Sequence, residues 1–545
     1  MTVASAPDLV ITGARVRTSE GFVEAIGVTG DRITLLGTER EVRASAGPTT
    51  RVVEQRGGLV LPGFQDAHVH APFAGRDRRR VWLHDLPDRA AYLEAIATYA
   101  AAHPDEPWIL GGGWAMEAFP GGLPRREDLD AICPDRPVFL FNRDVHAAWV
   151  NTRALELAAI TRDTPDPDDG RIERDPDGDP SGCLHEGAAY TCSDRVIPPP
   201  TSVEWEAAIL EGQRHLHSLG ITGWQDAWVT PETQHAYESL ARAGTLTARV
   251  VGALWWDRHR GLEQIEDLVA RRAASAEAAR GGFYATSVKI MTDGVLENST
   301  GALLEPYCDG CGGHTDGRGL TYVDQELLTS AVTHLDALGF QVHLHAIGDR
   351  AVRNALDAIE AALHANGARD NRHHIAHLQI VQPEDIPRFG ALGVIANCQA
   401  YWACHDTQME EHTIPFIGED RAQLQYPFAS IHRGGGRLAM GSDWAVSTAD
   451  PLAQLEIALT RAERGGPPLL PEERLSLEVA VDAFTAGSAH VNHDDDAGVI
   501  ALGRRADLAV LDLDVFRDGF VREGSAPLAD ARVTLTVAAG RVVHE

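Results

Sequence analysis

Between residues 61 and 495 short β-type runs alternate with helical runs, and that alternation admits few architectures. The strand-like runs include Val138-Phe139-Leu140-Phe141, Ser287-Val288-Lys289-Ile290-Met291, Gln341-Val342-His343-Leu344-His345 and Leu438-Ala439-Met440-Gly441. Between them lie Ala-, Leu- and Arg-rich stretches such as 204–219, 324–338 and 351–366. Strands separated by helices pair in parallel through crossovers, and a segment of this length suits an α/β (β/α)8 TIM barrel carrying insertions. The ends read differently. Residues 1–60 and 496–545 carry short strand runs and turns but no long helical pattern, for example Leu9-Val10-Ile11 and Val533-Thr534-Leu535-Thr536-Val537. The expectation is one small β-sandwich domain built from both termini beside the barrel. The Asp/Pro/Gly-rich stretch 163–182 reads as a loop or a β-hairpin.

Charge narrows the partners. A formal net charge of −31 repels nucleic-acid phosphates, so a small-molecule substrate is expected and nucleic acid is not. No apolar run is long enough to span a bilayer, so no membrane association is expected. The opening Met1–Asp8 lacks a basic and apolar leader pattern, and 7 scattered cysteines fit reduced thiols, hence a cytoplasmic location. Cys308 and Cys311 form a CxxC with His314 beyond, but the second half of a zinc ribbon is missing. Barrel enzymes of this size often self-associate, so a homo-oligomer is open.

Of the 48 Lys plus Arg side chains, a single one is lysine, Lys289. It lies in a run that reads as a buried strand, an expensive place for a bare ammonium. Arginine stays protonated, whereas lysine gives up its proton when buried. Lys289 is therefore a candidate for chemistry that guanidinium cannot do: a Schiff base, or a carbamate formed with CO2 that ligates metal through two oxygens. An ion pair with a carboxylate such as Asp293 is the simpler alternative.

The run Leu59–Val69 ends in His68-Val69-His70. Side chains two apart on a strand leave the same face, so both imidazoles can grip one metal. His343 and His345 repeat that geometry. His345 lies nearer the strand's C-terminal end, where barrel active sites gather, and is the expected ligand; His343 is expected to support a ligand or to pack. In His373-His374-Ile375-Ala376-His377 the last histidine is the choice. Met440-Gly441-Ser442-Asp443 then puts a carboxylate at another strand end. The order HxH, Lys, His, His, Asp is far more specific than any of its members.

With those residues the chain resembles the amidohydrolase superfamily, in the branch typified by N-substituted formamide deformylase (amidohydrolase family 3). The likeness runs from Leu61-Pro62-Gly63-Phe64 through Ser287–Ile290 with Asp293-Gly294, His345–Asp349, His377 and Gly441–Trp444 to Ala506–Leu511. The resemblance implies a metal-dependent barrel in which His68, His70 and Asp443 bind the more buried ion and His345 and His377 the more exposed one. Lys289, carboxylated, would bridge them. The default metal is zinc, one or two ions with two favoured. Two cations about 3.5–4 Å apart lower the pKa of a shared water and polarise a carbonyl. Asp443 would be the catalytic proton shuttle.

Further matches point to the substrate. The segment Arg143–Asn151 resembles one whose histidine and asparagine lie near the pocket, which makes His146 a candidate for binding the carbonyl oxygen and Asn151 a substrate contact. Asp293 and Trp114 join them, with Trp402 and Trp444 as further walls of an apolar pocket. Departures from the family pattern at Gly113-Trp114-Ala115 and Val295–Gly301 bear on substrate identity. The expected activity is hydrolysis of a C–N bond in an amide, an N-substituted formamide or a cyclic amide. A deaminase or esterase on the same site is the near alternative. A Schiff-base lyase and a non-catalytic metal- or ligand-binding barrel are the distant ones.

Overall fold

The computed structural model describes residues 6–84, 86–310, 312–522 and 525–545. Its centre is a parallel sheet of 8 strands: β1 (Phe64–Val69), β2 (Ile221–Val229), β3 (Arg249–Trp255), β4 (Phe283–Met291), β5 (Gln341–Ala346), β6 (His374–His377), β7 (Ile395–Cys398) and β8 (Arg437–Met440). Neighbours in sequence are neighbours in the sheet, the order of a (β/α)8 barrel. The ends meet where the Asp443 N–H donates to the His68 carbonyl (2.7 Å) and the His70 N–H to the Trp444 carbonyl (2.9 Å), so the barrel is nearly closed. Gly441 permits that approach, since a Cβ there would lie 2.5 Å from the Cβ of His68.

Each strand divides its side chains by parity. Along β5, Val342 and Leu344 join the large apolar core under the helices, while Gln341, His343 and His345 take part in polar contacts inside the barrel. Helices such as Asp349–Asn366 cover the outside, with Val352, Leu356 and Ile359 buried at helical spacing. Strands between residues 9 and 62 and between 508 and 544 form a separate 8-stranded mixed sheet, seamed where Leu59–Pro62 pairs with Leu508–Leu511.

One expectation changes. Val138–Phe141 is not a barrel strand. It lies in a 6-stranded sheet inserted between β1 and β2, from Val81 to Glu186, where it pairs parallel with Ile109–Trp114 and antiparallel with Ala147–Val150. A short apolar run fits either setting, because what distinguishes them is the partner strand and not the run itself. The stretch 163–182 contains the turn of a β-hairpin, with Gly170–Arg174 paired to Pro180–Glu186. Cys308 is half-buried with Sγ 3.8 Å from His314 Nδ1, and Cys311 lies outside the described residues. No helix among the described residues is long and apolar enough to cross a membrane.

Candidate metal centre

His68, His70 and Asp443 converge at the C-terminal end of the barrel, their ligand atoms within 4.8 Å of one another. Asp443 Oδ1 lies 3.3 Å from His68 Nε2 and 3.0 Å from His70 Nε2. Donors around a tetrahedral zinc with bonds of about 2 Å sit roughly 3.3 Å apart, so these three fit such an ion. Asp443 Oδ1 and His377 Nδ1 are buried and have no hydrogen-bond partner, the signature of atoms that a metal satisfies. Burial drives His68 down to about 3, leaving it neutral and able to ligate.

The other expected ligands adjoin this group. His345 and His377 have ring centroids 4.4 Å apart, and His377 is 4.8 Å from His68. His377 Nδ1 lies 3.8 Å from Asp443 Oδ2, and its ring stacks on Trp402 at 5.3 Å. His345 turns Nε2 to the Gly294 carbonyl at 3.2 Å, which leaves Nδ1 with its lone pair. Lys289 is 2 % exposed, and burial lowers its ammonium to about 7, so its neutral amine is populated at neutral pH. Lys289 stands level with His343 in the sheet, and His345 is level with Met291, one step nearer the mouth.

His146 is buried and hydrogen-bonded through Nδ1 to Glu186 Oε1 at 2.8 Å, with its ring centroid 6.3 Å from that of His345. Glu186 also accepts from Asn298 Nδ2 (3.1 Å) and Thr300 Oγ1 (3.0 Å). Burial alone would lower His146; the Glu186 carboxylate overrides it and raises the imidazole to about 9. Backbone strain collects in the same region. Asp443 (φ 53°), His377 (φ 79°), Glu186 (φ 51°) and Val145 (φ 61°) all sit in the left-handed half of φ space, which costs of order 1–3 kcal/mol per residue and persists where packing enforces it.

Of three expected substrate contacts, Trp114 and Asn151 lie in the segment inserted between β1 and β2, whereas Asp293 stands beside His345, its Oδ1 3.5 Å from Nε2. Trp114 is fully buried against Phe119 and donates its indole N–H to the Leu140 carbonyl (2.9 Å), so it braces the inserted sheet. Asn151 caps the helix Thr152–Leu157. Its Oδ1 accepts from Val138 N and Ala154 N, and its Nδ2 donates to the carbonyls of Cys133 and Arg136. Asp293 is 0 % exposed, and its carboxylate accepts from the N–H groups of Ala302, Ile347 and Gly348, tying the loops after β4 and β5 together. Sequence alone marks all three as polar or aromatic near a strand end and cannot tell a loop clamp from a ligand contact. Asn151→Ala should lower stability by about 2–4 kcal/mol, from one lost cap plus buried groups left unpaired, with bound metal unchanged. Denaturant unfolding and metal content check it.

Two cavities open around the centre, of about 480 and about 530 Å³. The first reaches His70 and is walled by Phe73, Phe141, Trp205 and Trp228. The second holds Glu297, Gln379, Trp402, Asp406 and Trp444. Arg143 borders both, and its buried Nε has no hydrogen-bond partner. A model of the amidohydrolase family matches residues 51–544. The chain belongs to the amidohydrolase family. It is 29% identical over 527 residues to N-substituted formamide deformylase of Arthrobacter pascens, covering 93% of this chain and 94% of that one. It is 28% identical over 542 residues to protein LONG AFTER FAR-RED 3 of Arabidopsis thaliana, covering 95% and 89%. An uncharacterized metal-dependent hydrolase from Pyrococcus furiosus superposes with a TM-score of 0.71 at 25% identity, over 93% of this chain and 99% of that one. In this amidohydrolase the metal-type cluster thus stands at the barrel end where TIM-barrel active sites lie.

Glu186 and Gln225, with the hydrogen bonds that join them to His146 and His343, were not singled out from the sequence. Gln225-Asp226 interrupts the apolar run of β2, a polar pair inside a buried strand, and that was the available signal.

Proposed function

We propose that this amidohydrolase hydrolyses a C–N bond in an amide, an N-substituted formamide or a cyclic amide, with zinc, two ions favoured, that carboxylated Lys289 would help to hold. The observation that carries the reading is the convergence of His68, His70 and Asp443 beside a buried lone lysine. Zinc, when bound, lowers the pKa of water and polarises the scissile carbonyl. His68, His70 and Asp443 would hold one ion, and His345 and His377 the other. Asp443, ionised and shared between the histidines, accepts the proton of the attacking water and passes it to the leaving nitrogen. His146, held by Glu186, donates a hydrogen bond to the carbonyl oxygen as charge develops there. The aromatic cavity at His70 takes an apolar substituent, and the cavity with Glu297 and Gln379 takes a polar one. The name of the Arthrobacter pascens relative makes formamides the first substrates to try.

The test is metal content together with the native mass of the intact protein. About two zinc equivalents and a CO2-sized increment support the bridged pair. One zinc without the increment would leave a mononuclear hydrolase. A protein that binds no zinc even on reconstitution would sink the reading.

A further inference from the structure

Beneath the candidate ligands the barrel floor holds a chain of buried histidines and amides instead of packed aliphatic residues. Its direction is set at one end by two backbone carbonyls. Gln341 Nε2 lies 2.8 Å from the carbonyls of both Arg372 and Val491, and only an NH2 group can face two carbonyl oxygens. Gln341 Oε1 is therefore an acceptor, and the Gln225 nitrogen 2.9 Å away is a donor. That orientation aims Gln225 Oε1 at His343 Nδ1 (2.8 Å) and at His374 Nε2 (3.0 Å). A carbonyl oxygen only accepts, so both histidines donate to it.

The consequence travels upward. No carboxylate pairs with His343 among the described residues, and an unpaired imidazolium is too costly to bury, so His343 is neutral and its one proton is on Nδ1. Its Nε2 is then a lone pair, 2.9 Å from His68 Nδ1. His68 must carry its proton on Nδ1, which leaves Nε2, the atom 3.3 Å from Asp443 Oδ1, free to ligate. The other branch agrees. His374 Nδ1 accepts from Asn397 Nδ2 (3.2 Å), Asn397 Oδ1 accepts from Gln399 Nε2 (3.0 Å), and Gln399 Oε1 accepts from the backbone N–H of His377 (2.7 Å). Had Gln225 presented its NH2 group to the histidines, His343 would protonate on Nε2 and His68 would hold its proton on the metal-facing nitrogen.

We infer that Gln225 is a positioning residue that fixes the His68 tautomer and thereby the affinity of the metal centre. The inference rests on the reading that His68 ligates metal. The experiment uses zinc itself and the zinc-free full-length protein, with ring-nitrogen protonation read from two-bond 1H–15N correlations. In the wild-type protein His68 and His343 should be protonated on Nδ1 and His374 on Nε2; a His68 protonated on Nε2 overturns the inference without any variant. Gln225→Met, close in shape but unable to accept, should weaken zinc binding by about 10–100-fold and mix the His68 tautomers. Gln65→Met, buried in the same barrel but hydrogen-bonded to Thr222 outside the histidine chain, should stay within about threefold of wild type. Zinc affinity retained in Gln225→Met, or lost equally in both variants, overturns the inference. A wild-type protein that binds no zinc, with the His68 tautomer as expected, counts instead against the metal reading.

Discussion

Lys289→Arg should remove at least one equivalent of bound zinc and lower kcat/KM by roughly 10³-fold or more, about 4 kcal/mol of transition-state stabilisation. The size follows from charge. In the proposed centre a carboxylated Lys289 would be an anion between two cations, whereas arginine stays a cation and forms no carbamate. Unit charges about 4 Å apart interact by about 4 kcal/mol at an effective dielectric of 20, and the substitution reverses the sign of that interaction. The strand itself should tolerate the change poorly but locally, because Val288 and Ile290 on the opposite face keep their places in the core. Metal analysis and the native mass spectrum check the first half of the prediction, and steady-state kinetics the second. A variant with full zinc and full turnover would reduce Lys289 to a charge that happens to lie near Asp443.

The parts legible in the sequence were those that rest on periodicity. Two-residue alternation placed His68 with His70 and His345 with His343, and strand-end position put Lys289, His377 and Asp443 near the barrel mouth. The mixed sheet from both termini was also legible, since strand runs such as Leu9–Ile11 and Leu508–Leu511 are separated from the helical pattern. The two rings of that pair face different partners: His343 is engaged with Gln225 and His68, and His345 turns Nε2 to the Gly294 carbonyl.

What the sequence did not disclose depends on contacts between distant segments. Glu186 meets His146 across 40 residues and Thr300 across 114, and no local pattern marks it. The backbone contacts of Asn151 and Asp293 were not legible either, because short polar residues beside strand ends serve as caps, clamps or ligand contacts alike. Their saturation by backbone groups is visible only when the loops are folded together. The inserted sheet was hidden for a related reason, as Val138–Phe141 has the composition of any buried strand.

Asp443→Asn should cost kcat about 10²–10⁴-fold while KM moves little, and the deficit should persist at saturating zinc. Two effects are combined in that side chain, and zinc titration separates them. The amide keeps one oxygen that can ligate, so weaker metal binding is recoverable by adding zinc. The lost basicity is not recoverable, because an amide oxygen cannot hold the transferred proton. Asp443 is suited to that transfer by its position: Oδ1 faces His68 and His70 at 3.3 and 3.0 Å, and Oδ2 faces His377 at 3.8 Å. Its backbone is pinned in an αL conformation by the Asp443 N–H bond to the His68 carbonyl, so the amide should take the same place. If zinc alone restored turnover to Asp443→Asn, the residue would be a ligand only.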